Sequence, residues 1–98
     1  MSNAVRLLQH ALTIVEERGE SYGDATTLFN QIAKRWSLTL GVEVNAEQVV
    51  LCMLDLKLAR LSNDPTHTDS MVDVAGYAAV LADVTKQSAK VSGGAHGR

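Results

Sequence analysis

The sequence NAEQVVLCMLDLKLARLSNDP, residues 45–65, decides the fold class of this chain. It opens with a capping box, in which Asn45 accepts a hydrogen bond from the start of a helix and the side chain of Gln48 reaches back. The segment ends at Pro65, because proline disfavours helical geometry in the residue before it. We predict a helix over residues 46–62, largely buried because apolar residues cover most of its surface. Its main apolar stripe, with helical spacing, consists of Leu51, Leu54, Leu58 and Leu61.

Three further helices are indicated by the same period and by their end signals. Gly19 and Gly41 are predicted to end the first and second of them, since glycine tolerates the left-handed conformation that closes many helices. Asp24 is predicted to cap the start of the second. The fold class is therefore all-α, a single-domain bundle of four main helices, with the other three at about residues 3–18, 25–40 and 69–90. The core-facing stripes are predicted to be Val5, Leu8, Leu12 and Val15 in the first helix, and Phe29, Ile32, Ala33 and Trp36 in the second.

Length and composition predict a small domain that gains from self-association. A chain of 98 residues buries only about 60–65% of the surface that it exposes when unfolded, so we expect a homo-oligomer. Residues 1–91 are predicted to form the helical domain, and the Gly-rich residues 92–98 a disordered tail.

Charge and cysteine content exclude several classes of partner. The net charge is −2 and no run of Lys or Arg occurs, which argues against binding to a long nucleic acid. No apolar run approaches the ~20 residues that span a bilayer, and no signal peptide opens the chain, so we expect no membrane partner. The single Cys52 indicates a reducing compartment, and we expect the cytoplasm.

A polar cluster stands out against the helical background. Asp69 and Asp73 are four residues apart, which places both carboxylates on one helix face, and Tyr77 continues that line by one turn. Like charges at this spacing repel each other, so a cation, a proton or a basic side chain is expected between them. Lys57 and Arg60 are the basic candidates, because the short link between the last two helices predicts that these helices pack antiparallel.

The turn at residues 22–24, Tyr-Gly-Asp, is expected to lie beside these side chains and to line one cleft with them. Two interpretations remain open for this set of residues. The carboxylates and bases could line a wettable recess that takes a ligand, or they could only lock one helix against another. For the turn itself, chain reversal and helix capping explain Gly23 and Asp24 without any ligand.

Four blocks of sequence carry a family resemblance over nearly the whole chain, from about Leu8 to Asp83. They are YGD at residues 22–24, FNQIA at 29–33 with Trp36, LKLARL at 56–61, and DSxxDxAGYA at 69–78. In this order the sequence resembles a family of small phage and prophage proteins of uncharacterised function, a resemblance that implies the cytoplasm of a bacterial host as the location. More distantly, it is similar to the nucleotide-modification-associated domain of phages and to MazG-like all-α nucleotide pyrophosphohydrolases.

The resemblance to MazG-like enzymes implies a nucleotide held with Mg²⁺, a cation that takes carboxylate and phosphate oxygens. It implies that Asp69 and Asp73 are metal ligands and that Lys57 and Arg60 hold phosphate. The other ligand-binding residues that it implies are Tyr22, Gly23, Asp24, Ser70 and Tyr77.

An acidic motif that the family carries on an earlier helix is also present in this sequence, as Glu16, Glu17 and Glu20. We expect Gly19 to end the first helix before Glu20, so the three carboxylates need not share a face. The later acidic pair is spaced by four residues, whereas that of the family is normally spaced by three. Catalysis is therefore left open, and no catalytic residue is assigned.

Three functions follow from these observations. The first is a MazG-like phage protein that binds a nucleotide or related phosphate ligand, with Mg²⁺-dependent pyrophosphate hydrolysis as its reaction if it is an enzyme. The alternative is a non-catalytic counter-defence or regulatory protein of a phage, which sequesters a nucleotide signal or binds a host protein. The third is a structural oligomer whose polar residues only fix helix packing.

Overall fold

A computed structural model of the chain describes the backbone of residues 2–91 and the side chains of residues 2–85. This part of the chain forms four helices, namely α1 (Asn3–Tyr22), α2 (Ala25–Leu40), α3 (Ala46–Asn63) and α4 (Thr68–Val91). The prediction of an all-α bundle of four helices is confirmed. The bounds of α2, α3 and α4 agree with those predicted to within one residue. The predicted tail, residues 92–98, lies outside the described residues.

The predicted caps set the helix ends. A carboxylate oxygen of Asp24 accepts a hydrogen bond from the backbone N–H of Thr27 at 3.0 Å. Asn45 and Gln48 form the reciprocal capping box, each side chain accepting from the other's backbone N–H at 2.9 Å. Gly41 ends α2 in the left-handed conformation, with φ at 75°. These local hydrogen bonds satisfy backbone groups that the helix itself leaves without partners.

The prediction that Gly19 ends the first helix is wrong, because α1 continues for three more residues to Tyr22. A glycine inside a helix costs only about 1 kcal/mol relative to alanine, which the rest of a long helix can offset. The chain leaves the helix instead at Gly23, whose backbone N–H donates to the carbonyl oxygen of Gly19 at 2.9 Å. Gly23 has φ at 82° and ψ at −155°, a conformation that only glycine adopts at little cost.

Helix α4 is the centre of the bundle and contacts each of the other three helices. Asp73 on α4 pairs with Lys57 on α3, and Arg60 further along α3 contacts His67 just before α4, so the two helices run antiparallel as predicted. Asp73 also lies near Arg18 on α1, while Gly76 faces Val15 one turn earlier on that helix. Helices α1 and α4 are therefore antiparallel too. Within the described residues the backbones of α1 and α3 are not in contact, and both helices pack against α4.

The core consists of small and β-branched residues and a single buried phenylalanine. It is formed by Phe29, Ala33, Ala46, Val49, Val50 and Val84, with Ile32 and Trp36 packed against it. The predicted core face of α2 is thus confirmed.

The predicted core stripes of α1 and α3 are wrong in part. Leu51 and Leu58 are exposed on α3, which turns Val49, Val50 and Met53 inward instead. Leu8 and Leu12 are exposed on α1, where Ala11 is the buried residue. Both helices carry apolar residues on more than one face, so their periodicity does not specify which face packs inward. No helix between residues 2 and 91 is long and apolar enough to cross a membrane.

Candidate functional site

An open pocket of about 730 Å³ lies between α1, α2 and α4, and α3 contributes to its wall through Val49 and Met53. This volume is within the range of about 300–1,000 Å³ that is usual for small-molecule sites. The interior is mainly apolar, with Ile14, Phe29 and Val72 among its walls. Its polar and charged lining residues are Arg18, Tyr22, Asp24, Asp73, Tyr77 and Asp83.

The turn between α1 and α2 forms one side of the pocket mouth. Tyr22, the last residue of α1, is 68% exposed, so its ring stands at the mouth rather than in the core. Gly23 turns the chain, and Asp24 accepts hydrogen bonds from both the backbone N–H and the hydroxyl of Thr27. Capping therefore accounts for the position of the Asp24 carboxylate, and the same geometry brings it to the pocket. Tyr22, Gly23 and Asp24 all line the pocket, as the ligand-binding prediction requires.

An aromatic pair forms the inner wall. The rings of Phe29 and Tyr77 meet edge to face, with their centroids 6.4 Å apart and their planes at 88°. Phe29 is buried, and Tyr77 is partly buried with its side chain on the pocket side. In an edge-to-face pair the edge of one ring lies against the face of the other, which fixes the orientation of both rings. The pocket therefore has an ordered aromatic wall on this side.

Asp73 is the charged group on which the site is centred. One of its carboxylate oxygens, Oδ2, lies 3.0 Å from Nζ of Lys57, and the other, Oδ1, lies 3.9 Å from a guanidinium nitrogen of Arg18. The side chains of Asp73 and Lys57 are each only 18% exposed, whereas that of Arg18 is 55% exposed. A basic side chain thus neutralises the carboxylate that stood out in the sequence. Asp73 lines the pocket. Lys57 does not line it, and its connection to the site is the ion pair with Asp73.

Three of the predicted site residues are placed elsewhere. Asp69 is exposed in the first turn of α4 and is absent from the pocket lining. Arg60 is exposed, with its guanidinium 3.4 Å from Nε2 of His67. Ser70 is 1% exposed, and its hydroxyl lies 2.7 Å from Nδ1 of His67, an interaction that holds the start of α4. The structure therefore brings together the Tyr-Gly-Asp turn, Asp73 and Tyr77, with Lys57 paired to Asp73, and leaves out the other three.

The geometry of Asp69 and Asp73 does not fit a shared metal site. Asp69 is outside the pocket, and an ammonium group already occupies the side of Asp73 where a cation would bind. Glu16, Glu17 and Glu20 are exposed and do not line the pocket, although α1 includes all three. Among the described side chains, no group of three or more His, Cys, Asp or Glu residues is placed to hold a metal ion.

The pocket residues that were not predicted from the sequence include Arg18, Gly76 and Asp83. Arg18 lies one helical turn before Tyr22, so a continuous α1 places both on one face. Because we expected the helix to end at Gly19, the sequence did not predict that Arg18 and Tyr22 share a helix face. Gly76 is three residues after Asp73 and one before Tyr77, and the position of α1 against it follows only from tertiary packing.

Fold and site together define a small all-α protein with an open, largely apolar pocket that has charged groups at its mouth. Residues 6–85 match the model of a family described as a domain of unknown function, DUF6378, and the chain belongs to that family.

Two phage proteins are similar to this chain. The Gene 55 protein of Mycobacterium phage L5 is 42% identical over 76 residues, which cover 71% of this chain and 49% of that protein. The Gene 55 protein of Mycobacterium phage D29 is 34% identical over 73 residues, covering 74% of this chain and 48% of that protein. This chain thus spans about half the length of these curated relatives. No solved structure matches it.

Proposed function

We propose that this member of a phage protein family binds a nucleotide, or a related compound that joins a ring system to phosphate groups. The observation that carries the proposal is the composition of the pocket, in which an aromatic and aliphatic interior adjoins Arg18 at the mouth. Ligand sites of this kind bury most of an apolar group and fix its orientation with a few polar groups. The aromatic wall formed by Phe29 and Tyr77 would take the base.

Arg18 is the pocket residue best suited to phosphate. Its guanidinium is more than half exposed and makes only a long contact, 3.9 Å, with Asp73. It is therefore available for the two parallel hydrogen bonds that arginine forms with phosphate oxygens. Lys57 is less available, because a short ion pair holds its ammonium group.

Three carboxylates also line the pocket, and phosphate beside them needs further positive charge. Mg²⁺ bound to the phosphates would supply it, since this ion uses one or two carboxylates and keeps several waters. Asp24 and Asp83 are the candidates for those carboxylates, because Lys57 already pairs with Asp73. Magnesium is part of the proposal in this form, as an ion that arrives with the nucleotide and not as a resident ion between Asp69 and Asp73.

A thermal-shift screen of nucleoside mono-, di- and triphosphates, with and without Mg²⁺, tests the proposal. A ligand present at 100 times its Kd should stabilise the fold by about 2.7 kcal/mol. For a domain of this size the midpoint should rise by on the order of 10–20 °C. Arg18→Gln should weaken binding about 10–100-fold. Arg35→Gln, which changes an exposed arginine of α2 outside the pocket, is the matched control and should leave binding unchanged.

The same incubations decide between an enzyme and a binder. Release of pyrophosphate or phosphate from a bound triphosphate would establish Mg²⁺-dependent hydrolysis. Binding without release would favour the alternative of a protein that sequesters a nucleotide signal. If no nucleotide shifts the midpoint at any Mg²⁺ concentration, the nucleotide proposal is wrong.

A further inference from the structure

A second apolar surface of the bundle has no partner within the chain. On α3, Leu51 and Leu58 are each 49% exposed, and on α1 Leu8 and Leu12 are still more exposed. The described side chains include eight buried hydrophobic residues and ten large hydrophobic residues that are exposed. Single exposed leucines are ordinary, whereas several that lie close together form a patch that commonly marks an interaction site.

Helical geometry places the α3 leucines away from the pocket. Val49 and Met53 line the pocket, and Leu51, Leu54 and Leu58 lie roughly 100–200° around the helix from them. On α4 the pocket residues Asp73, Tyr77 and Val80 lie on one side of the helix. The exposed alanines 78, 79 and 82 lie roughly 100–180° around the helix from them. Helices α3 and α4 are antiparallel neighbours, so the α3 leucines and the α4 alanines lie on the same side of the pair, away from the pocket.

The α1 leucines border the same flank of α4. Leu8 and Leu12 lie roughly 80–160° around α1 from the pocket residues Ile14 and Arg18, so they face away from the pocket. Val15 faces Gly76, and α1 runs antiparallel to α4. Leu12 and Leu8 therefore lie beside successive later turns of α4, where Ala79 and Ala82 are exposed. We call this surface the leucine face. It comprises Leu8 and Leu12 of α1, Leu51, Leu54 and Leu58 of α3, and the alanines 75, 78, 79 and 82 of α4 between them.

We propose that the leucine face docks onto the same face of a second copy of this chain, forming a twofold-symmetric dimer. A twofold interface must be complementary to itself. The leucine face meets that requirement, because leucines from α1 and α3 form raised edges and the alanines of α4 form the hollow between them. Rotation about a twofold axis places a raised edge of one copy over the hollow of the other. Asp55 is exposed on α3 between Leu51 and Leu58, and in the dimer its carboxylate must stay at the solvent-facing edge of the interface, because burial of an unpaired charge is costly.

The size of the face also favours a second copy. It extends about 20 Å along the helices and about 25 Å across three helix widths, a projected area of about 500 Å². Two such faces bury about 1,000 Å² or more, which reaches the lower limit for a specific interface. The leucine face thus gives a defined interface for the oligomer that the chain length predicts. This proposal is independent of the pocket and its ligand.

Light scattering coupled to size-exclusion chromatography, over a wide range of protein concentration, tests the dimer. The unmodified chain should have twice the monomer mass, and Leu58→Glu should reduce it to the monomer mass. Leu56→Glu is the matched control, because Leu56 is equally exposed, at 52%, on the same helix but lies on its other flank. That variant should remain a dimer.

Circular dichroism shows whether each variant keeps its helices. If Leu58→Glu does not fold, Leu51→Glu takes its place, since that residue has the same exposure on the same face. A monomer at every concentration would overturn the proposal. So would a dimer that neither Leu58→Glu nor Leu51→Glu dissociates, or one that Leu56→Glu dissociates while the other two do not.

Discussion

The ammonium nitrogen of Lys57 on α3 lies 3.0 Å from a carboxylate oxygen of Asp73 on α4, and this ion pair joins the two helices beside the pocket. Both side chains are mostly buried. Removing one partner leaves the other charge poorly solvated, which costs more than the pair itself contributes. We predict that Lys57→Met lowers the free energy of unfolding by about 1–3 kcal/mol, measured by urea denaturation.

The control for this prediction is Arg18→Met, which removes a longer and more exposed contact to the same carboxylate. It should cost less than about 1 kcal/mol, since exposed ion pairs contribute little. The double variant Lys57→Met with Asp73→Leu should recover part of the loss. Equal stability of Lys57→Met and the unmodified chain would show that the pair has no structural role.

Gly76 offers a second test, because the structure shows no steric need for glycine there. A Cβ atom at this position would lie 3.7 Å from the nearest side-chain carbon, Cγ2 of Val15, which is an ordinary contact distance. Gly76→Ala should therefore raise the free energy of unfolding by about 0.5–1 kcal/mol, the difference in helix propensity. Urea denaturation of both proteins measures it, and a loss of stability would mean that α1 and α4 pack more closely than described.

Asp24 combines a cap with a position at the pocket, and two substitutions separate these roles. Asp24→Ala removes the acceptor for the Thr27 backbone N–H and should cost about 1 kcal/mol of stability. Asp24→Asn keeps an acceptor and should cost much less, because asparagine caps helices as well as aspartate does. Thermal denaturation compares the two. If both substitutions cost the same, the charge of Asp24 matters more than its hydrogen bond.

Comparison of sequence and structure shows which features local chemistry determines. The caps at Asp24 and Asn45 are local, and they were predictable because a side chain and a backbone group three residues apart decide them. The end of α1 was not predictable, since the low helix propensity of Gly19 is a small free-energy cost that tertiary contacts override. Arg18 was missed for that reason.

The inward faces of α1 and α3 were unpredictable for a different reason. Each helix has apolar residues on two flanks, and only packing against α4 selects one. Leu58 and Met53 fit a core equally well by composition. Asp73 and Tyr77 were identified because a carboxylate amid apolar residues and a tyrosine one turn later are unusual. Asp69 has the same spacing from Asp73, but it lies in the exposed first turn of α4, where a carboxylate complements the helix dipole.

Asp64 gives the chain a defined dependence on pH. The hydroxyl and the backbone N–H of Thr66 both donate to its carboxylate, and these hydrogen bonds lower the pKa of Asp64 below its ordinary value. A lowered pKa means that the folded state favours the charged carboxylate. The resulting stabilisation is present above about pH 4, the usual pKa of an unfolded aspartate, and is lost as the pH falls through the lower folded value.

Thr66→Val removes the hydroxyl donor and should raise the pKa of Asp64 towards its ordinary value. Titration of the carboxyl carbon by NMR measures this change directly. Thr68→Val is the control, since the Thr68 hydroxyl donates to the Thr66 carbonyl oxygen and not to Asp64. The stability difference between Thr66→Val and the unmodified chain should shrink as the pH falls below about 4. A pKa unchanged in Thr66→Val would exclude the hydroxyl as the cause.

The central claim, that the pocket takes a nucleotide, is tested most directly by NMR titration of backbone amides with a nucleoside triphosphate and Mg²⁺. Glycine amides resonate apart from most others, and Gly19, Gly23 and Gly76 all line the pocket. Gly41 ends α2 away from it and serves as the internal reference. We predict saturable shifts of the three pocket glycines with Gly41 unmoved. Unmoved pocket glycines at saturating nucleotide, or shifts centred on Gly41, would contradict the claim.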